Sequence, residues 1–167
     1  DGSGGFDKSR YHYNPRIHEA LMAVSVLGYE KKNICFPYFP FYSDKCKPGF
    51  RDFLTVEKLV DKVKPRHIFV CGDSDPNKTH NKCFDLVKSG LVDYKTPEPI
   101  LIWMYNSVWG DWNGEEDITV AISDEEFRLK VESIKKHESQ NPPVVPGEDD
   151  RPFHVRIEEK NRNQYGR

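Results

Sequence analysis

A three-layer α/β/α fold around a mostly parallel sheet is what this sequence predicts, and three observations predict it. His67–Cys71 (HIFVC) and Ile100–Tyr105 (ILIWMY) are short apolar runs of the kind carried by parallel strands covered on both faces. The first run closes on Gly72 and enters a polar turn, Asp73–His80. From Thr79 onward, Cys83, Phe84, Leu86 and Val87 recur at helical spacing until Gly90 stops the pattern, so this unit reads strand, polar loop, helix. Upstream, Val56, Leu59, Val60 and Val63 mark one face of an amphipathic helix that ends at Lys64-Pro65, just before the His67–Cys71 strand.

The remaining elements follow in order. Residues 1–13, opening on Asp1-Gly2-Ser3-Gly4-Gly5, form a flexible N-terminal end, and residues 14–167 form one domain, large enough for a proper core. Asn14 as cap and Pro15 at the first helical position open a helix whose Ile17, Ala20, Leu21 and Val24 share a face, and Gly28 ends it. Asn33–Phe36 reads as a strand. It runs into Pro37-Tyr38-Phe39-Pro40-Phe41-Tyr42, where two prolines exclude a central sheet position. Asp117–Ile122 alternates as a strand should, and Ser123-Asp124-Glu125-Glu126 is a capping box for a helix striped by Phe127, Val131 and Ile134. Residues 141–150 are a Pro-, Gly- and acid-rich loop, and Phe153–Tyr165 is a charged final helix with Phe153, Val155 and Ile157 as its apolar contacts.

Composition narrows the function classes. Hydrophobic residues are 37% and charged residues 31%, with a mean hydropathy of -0.75 and no apolar run long enough to cross a bilayer. A formal net charge of -2 leaves no basic footprint for nucleic acid, so neither nucleic acid nor membrane is an expected partner. No G-x-G-x-x-G follows a strand, which weighs against a dinucleotide-binding module. Cys35, Cys46, Cys71 and Cys83 form no CxxC pair. Cys71 and Cys83 lie in apolar patterns and read as buried thiols, whereas Cys46 reads as exposed, a usage that fits a reducing, cytoplasmic setting.

The candidate site is the loop after the His67–Cys71 strand, because ligands of open α/β sheets sit beyond the carboxyl ends of the strands. His80 falls in the first turn of the following helix, where the dipole disfavours imidazolium and leaves a neutral ring able to coordinate a cation. Asp73 and Asp75 can supply oxygen ligands or serve as turn formers and helix caps. Tyr38 and Tyr42 can stack on a sugar face or simply cover the end of the sheet. His12 and His18 have no partner at ligand spacing, and His137 suits a structural role at a helix end.

The run Asp75-Pro76-Asn77-Lys78-Thr79-His80-Asn81-Lys82-Cys83 resembles the D-P-H-G-T-H-R-x-C loop of LmbE-like N-acetylglucosaminyl deacetylases, in the version appended to glucosamine-6-phosphate deaminase/isomerase proteins. Further matches are Arg16-Ile17-His18-Glu19-Ala20 to R-x-x-E-A, and Trp103-Met104-Tyr105 with Trp109 and Trp112 to W-M-Y-x-x-x-W-x-x-W. His137-Glu138-Ser139-Gln140 matches H-x-S-Q, and Glu158-Glu159-Lys160-Asn161-Arg162 matches E-E-x-N-R, so the resemblance spans Asn14 to Arg162.

The resemblance implies a Rossmann-like domain that hydrolyses the N-acetyl amide of an amino sugar with zinc, in a longer polypeptide with an upstream deaminase/isomerase domain. It implies zinc ligation by His80 and puts Asp75 and Asn77 at the catalytic centre, while Asp73 is a further metal candidate from its own place in the loop. Tyr38 and Tyr42 would meet the amino-sugar or sugar-phosphate substrate. Asn77 stands where the family has a histidine that assists transition-state stabilisation, and Lys78 where it has glycine. The family's H-P-D-D motif, source of two zinc ligands and the general base, does not occur, nor does any His followed three residues later by Asp. The sequence is expected to lack the family's first strand-helix-strand unit. A non-catalytic domain that binds a sugar phosphate or mediates assembly is the alternative expectation.

Overall fold

The structure, a computed structural model, describes residues 15–37, 39–43, 46–106, 116–140 and 151–164. The chain divides into two compact units, one of residues 37–117 and one combining residues 1–36 with 118–167.

The unit of residues 37–117 carries the predicted strand, loop and helix. Helix α1 (Pro15–Val26) belongs to the other unit; here the elements are a short helix α2 (Pro40–Ser43), α3 (Phe50–Val63), β1 (His67–Cys71), α4 (Lys78–Leu91) and β2 (Leu101–Tyr105). β1 and β2 pair in parallel, His67 opposite Leu101 through Cys71 opposite Tyr105, so the fold is mixed α/β and consistent with a Rossmann-like α/β/α architecture. The core is Phe41, Val56, Val60 and Leu86, with Phe53, Ile68, Cys83 and Ile100 packed against it. Asp52 fastens α2 to α3: its buried carboxylate accepts from the backbone N–H groups of Phe41 (3.1 Å) and Gly49 (2.9 Å).

Three expectations are corrected here. The strands are not buried on both faces: Phe69 is 69% exposed, and Leu101, Ile102, Met104 and Tyr105 are exposed as well. Among the described residues the sheet has two strands, so each is an edge, and an apolar run alone does not reveal how many strands flank it. On its open face the rings cover one another instead. Phe69 and Trp103 stack at 6.3 Å, and the Trp103 indole N–H donates to His67 Nδ1 at 2.9 Å.

Gly90 does not stop α4, which runs through it to Leu91. Gly90 is buried, and a Cβ placed on it would lie 3.0 Å from Val56 Cβ, so the glycine exists for the close approach of α4 to α3. Val63, expected on the buried stripe of α3, is 67% exposed because the helix is ending there: Lys64 adopts a left-handed conformation (φ 50°) and its N–H closes on the Val60 carbonyl.

The other unit comprises α1, α5 (Asp124–Lys135), α6 (Phe153–Gln164) and two 3-10 turns, Lys31–Asn33 and Glu138–Gln140. α1 begins with Pro15 at its first position and ends in a Gly28 at φ 80°. Its buried line is Pro15, Glu19 and Ala23 rather than the Ile17 and Leu21 face. The polar member is satisfied: both Glu19 oxygens accept from Ser139, one from its N–H and one from its hydroxyl, each at 2.7 Å. The Ser123–Glu126 capping box forms as expected, Ser123 Oγ accepting from the Glu126 N–H and Glu126 Oε2 from the Ser123 N–H.

Neither expected strand flanking this unit forms. Asn33 closes a 3-10 turn and the residues after it are irregular, with Cys35 and Phe36 exposed, and Asp117–Ile122 is irregular with Val120 77% exposed. Alternation specifies a strand only where another strand supplies the hydrogen-bond ladder. The expectations for residues 1–14, Tyr38, Trp109, Trp112, the loop 141–150 and Tyr165 lie outside the described residues.

Candidate functional site

The site forms where β1 gives way to α4. Gly72 leaves the strand while its N–H still reaches the Tyr105 carbonyl of β2 (3.1 Å), and the Asp75 N–H turns back to the Gly72 carbonyl (3.4 Å). Asp75, whose side chain is 2% exposed, divides its two oxygens between two tasks. Oδ1 accepts from the Asn77 N–H at 2.7 Å and so fixes the turn, an Asx arrangement suited to a helix entry. Oδ2 faces Nδ1 of His80 at 3.1 Å.

Asn77 is the N-cap of α4. Its side-chain oxygen accepts from the Thr79 N–H at 3.0 Å, satisfying one of the donors that a helix start leaves open. That places His80 on the third helical position, one turn from the cap and facing back over Asp75. The Asn81 side-chain amide donates to the Asp73 carbonyl, tying the far side of the turn to the helix.

Cys71, the last residue of β1, completes the group. One ligand atom from each of Cys71, Asp75 and His80 lies within 4.8 Å of the others. Tyr105, opposite Cys71 in the sheet register, is about half exposed as a residue, and its phenol is pushed well above the ordinary value by partial burial and by a hydrogen bond with the Cys71 side chain. On α4, Cys83 is raised by burial and by proximity to Cys71.

Of the residues the sequence singles out, Asp75, Asn77 and His80 thus come together, with Asp75 and His80 in direct contact. Asp73 is exposed on the turn and stands outside the Cys71, Asp75 and His80 group. Tyr42 packs in an aromatic cluster, edge-on to Phe41 at 6.2 Å, and Tyr38 lies outside the described residues. His137 sits in the other unit, its proton affinity lowered by burial, with nearby Glu19 opposing that and Arg16 adding to it. Sequence reasoning missed Cys71 as part of the site because its apolar neighbours read as core. The signal was its position: it is the last strand residue before the loop, where α/β sheets present their ligand-binding groups.

The donor set fits a divalent cation. His80 Nδ1 is buried and makes no hydrogen bond, although Asp75 Oδ2 lies close by, so an imidazole nitrogen and a carboxylate oxygen converge with a sulfur within reach.

The chain is thus an α/β protein with a candidate metal centre at the carboxyl end of a parallel strand. It is similar to a putative glucosamine-6-phosphate deaminase-like protein of Bacteroides thetaiotaomicron, at 37% identity over 161 residues and 88% of this chain. The chain spans about a quarter (24%) of that relative's length. No family model matches the sequence, and no solved structure matches it. Among the described residues, no helix is long and apolar enough to cross a membrane.

Proposed function

We propose that this chain is a deacetylase-type domain of amino-sugar metabolism that belongs to a longer polypeptide and holds zinc beside its amino-sugar or sugar-phosphate substrate. The observation that carries the reading is the convergence of Asp75 and His80 at 3.1 Å where β1 meets α4. The similarity to a glucosamine-6-phosphate deaminase-like protein supports the substrate class.

Asp75 and His80 would hold the metal, which when bound supplies a Lewis acid for an amide carbonyl and a more acidic water. The chain's own groups do the positioning. Asp75 is locked through Oδ1 by the Asn77 N–H, which leaves Oδ2 facing the ring of His80. His80 is held at the start of α4 by the Asn77 cap.

A second reading, a non-catalytic domain that binds a sugar phosphate or mediates assembly, draws support from Asn77. Where the resembling family has an assisting histidine, this side chain is spent on capping α4. Acetate release from N-acetylated amino sugars tests whether this chain catalyses alone; it is not expected to, because the H-P-D-D motif that supplies two zinc ligands and the general base in the resembling family does not occur in it. The purified 167-residue chain is expected to bind such a sugar by calorimetry and to release no acetate, with or without zinc. Chelator-sensitive acetate release would establish catalysis by this chain, and absence of sugar binding would remove the substrate assignment.

A further inference from the structure

We propose that Cys71 is the third metal ligand, which makes the site a thiolate, carboxylate and imidazole centre that selects zinc over magnesium, manganese and calcium. This rests on the reading that Asp75 and His80 hold a metal, and it names a ligand that the resemblance does not assign.

The spacing of the three atoms suits zinc. Around a tetrahedral zinc, with bonds of about 2.0–2.3 Å, neighbouring ligand atoms lie roughly 3.3–3.6 Å apart. The three atoms here already lie within 4.8 Å of one another, and one pair is at 3.1 Å, so adjustments of side-chain torsions bring all three to a common ion. The backbone supports this without rearrangement. Cys71 is fixed in the parallel ladder opposite Tyr105, Gly72 stays bonded to β2, and the turn that presents Asp75 is closed by its own carboxylate.

Chemistry then decides which ion. Hard cations such as magnesium and calcium take oxygen ligands, and magnesium demands near-octahedral geometry. A thiolate with an imidazole and one carboxylate suits a borderline-soft ion that accepts four ligands. Three protein ligands leave one coordination position open, the arrangement of catalytic rather than structural zinc. Tyr105, hydrogen-bonded with Cys71, is placed to orient the sulfur, as outer groups do in metal sites.

The test uses cobalt(II) as the probe, in protein carrying Cys35→Ser and Cys46→Ser so that the exposed thiols are removed. Thiolate ligation gives an intense near-ultraviolet charge-transfer absorption that nitrogen and oxygen ligands do not. The expected result is that this band appears on stoichiometric cobalt addition, that zinc abolishes it, and that magnesium in large excess does not. Cys71→Ser should lose the band and bind cobalt at least about tenfold more weakly, with its circular dichroism unchanged. Cys83→Ser should keep the band.

Cobalt binding without the band would overturn the ligand assignment while leaving the Asp75 and His80 reading intact. A band that survives Cys71→Ser but is lost in Cys83→Ser would assign the sulfur to Cys83 and overturn the proposal. No cobalt uptake at all would overturn both. Should Cys71→Ser fail to fold, Cys83→Ser decides: with Cys35 and Cys46 replaced, a band retained there assigns the sulfur to Cys71, and a band lost there overturns the proposal.

Discussion

Gly90→Ala tests the reading that α4 and α3 are drawn together by a missing side chain. In an ordinary exposed helix position the change would stabilise by about 1 kcal/mol, the difference in helix propensity between the two residues. Here the new methyl would sit 3.0 Å from Val56 Cβ and 3.1 Å from its Cγ1, whereas carbon atoms pack comfortably at about 3.5–4.0 Å. Val56 cannot relieve this by rotating, since its Cβ is fixed to the backbone and turning χ1 leaves that atom in place. The residue is buried in the core with Val60 and Leu86, so α3 itself must move. Overpacking of this kind costs about 1–3 kcal/mol, which outweighs the propensity gain and leaves a net destabilisation of about 1 kcal/mol. Urea unfolding followed by far-ultraviolet circular dichroism measures it, with Ser89→Ala as a control, since Ser89 is the exposed neighbour on the same helix. The control should be neutral or slightly stabilised. A Gly90→Ala variant more stable than wild type by about 1 kcal/mol would show instead that the helices have room to part and that the glycine is not needed for their approach.

Glu19→Ala removes the acceptor for two hydrogen bonds of 2.7 Å from Ser139 and leaves a backbone N–H without its carboxylate, so a loss of about 2–3 kcal/mol is expected in urea unfolding, with Glu19→Gln milder. His137 gives a pH dependence whose sign is fixed by its environment. Burial lowers its folded-state value below the ordinary 6.5, so its contribution is fully present above that value and is lost as the pH falls through it towards the lower folded value. Wild-type stability should therefore decline between pH 7 and the acid side of 6.5, and His137→Gln should flatten that part of the profile. His80→Ala in metal-free protein should cost less than about 1 kcal/mol, because the side chain lies at the rim rather than in the core, as its melting midpoint will show.

Local chemistry was the legible part of the sequence. The strand, loop and helix from His67 to Leu91, the Ser123 and Glu126 capping box, and Pro15 at the start of α1 all follow from residues that act on their immediate neighbours. What failed depended on distant partners. Val120 alternates correctly with Ile118 and Ile122, yet no described strand offers a ladder, and the segment stays irregular. Phe69 and Met104 sit in runs that look buried, but burial is set by how many strands and helices flank the sheet, which the run does not encode. Gly90 looks the same in sequence whether it ends a helix or lets another approach. At the site, Asp75 and His80 were legible from their spacing and resemblance. Cys71 was not, since at the end of an apolar strand a thiol lying beside the loop looks in sequence the same as a core thiol.

The central claim is that the Asp75 and His80 pair belongs to a metal centre, and a zinc titration of the wild-type chain followed by its thermal midpoint tests it most directly. Zinc that binds the folded chain alone stabilises it by about 2.7 kcal/mol at a hundred times its dissociation constant. A zinc-dependent rise in the midpoint is expected, reversed by chelator and absent in His80→Ala, with stoichiometric zinc retained through gel filtration. A wild-type midpoint that zinc does not move, with no metal retained, would contradict it.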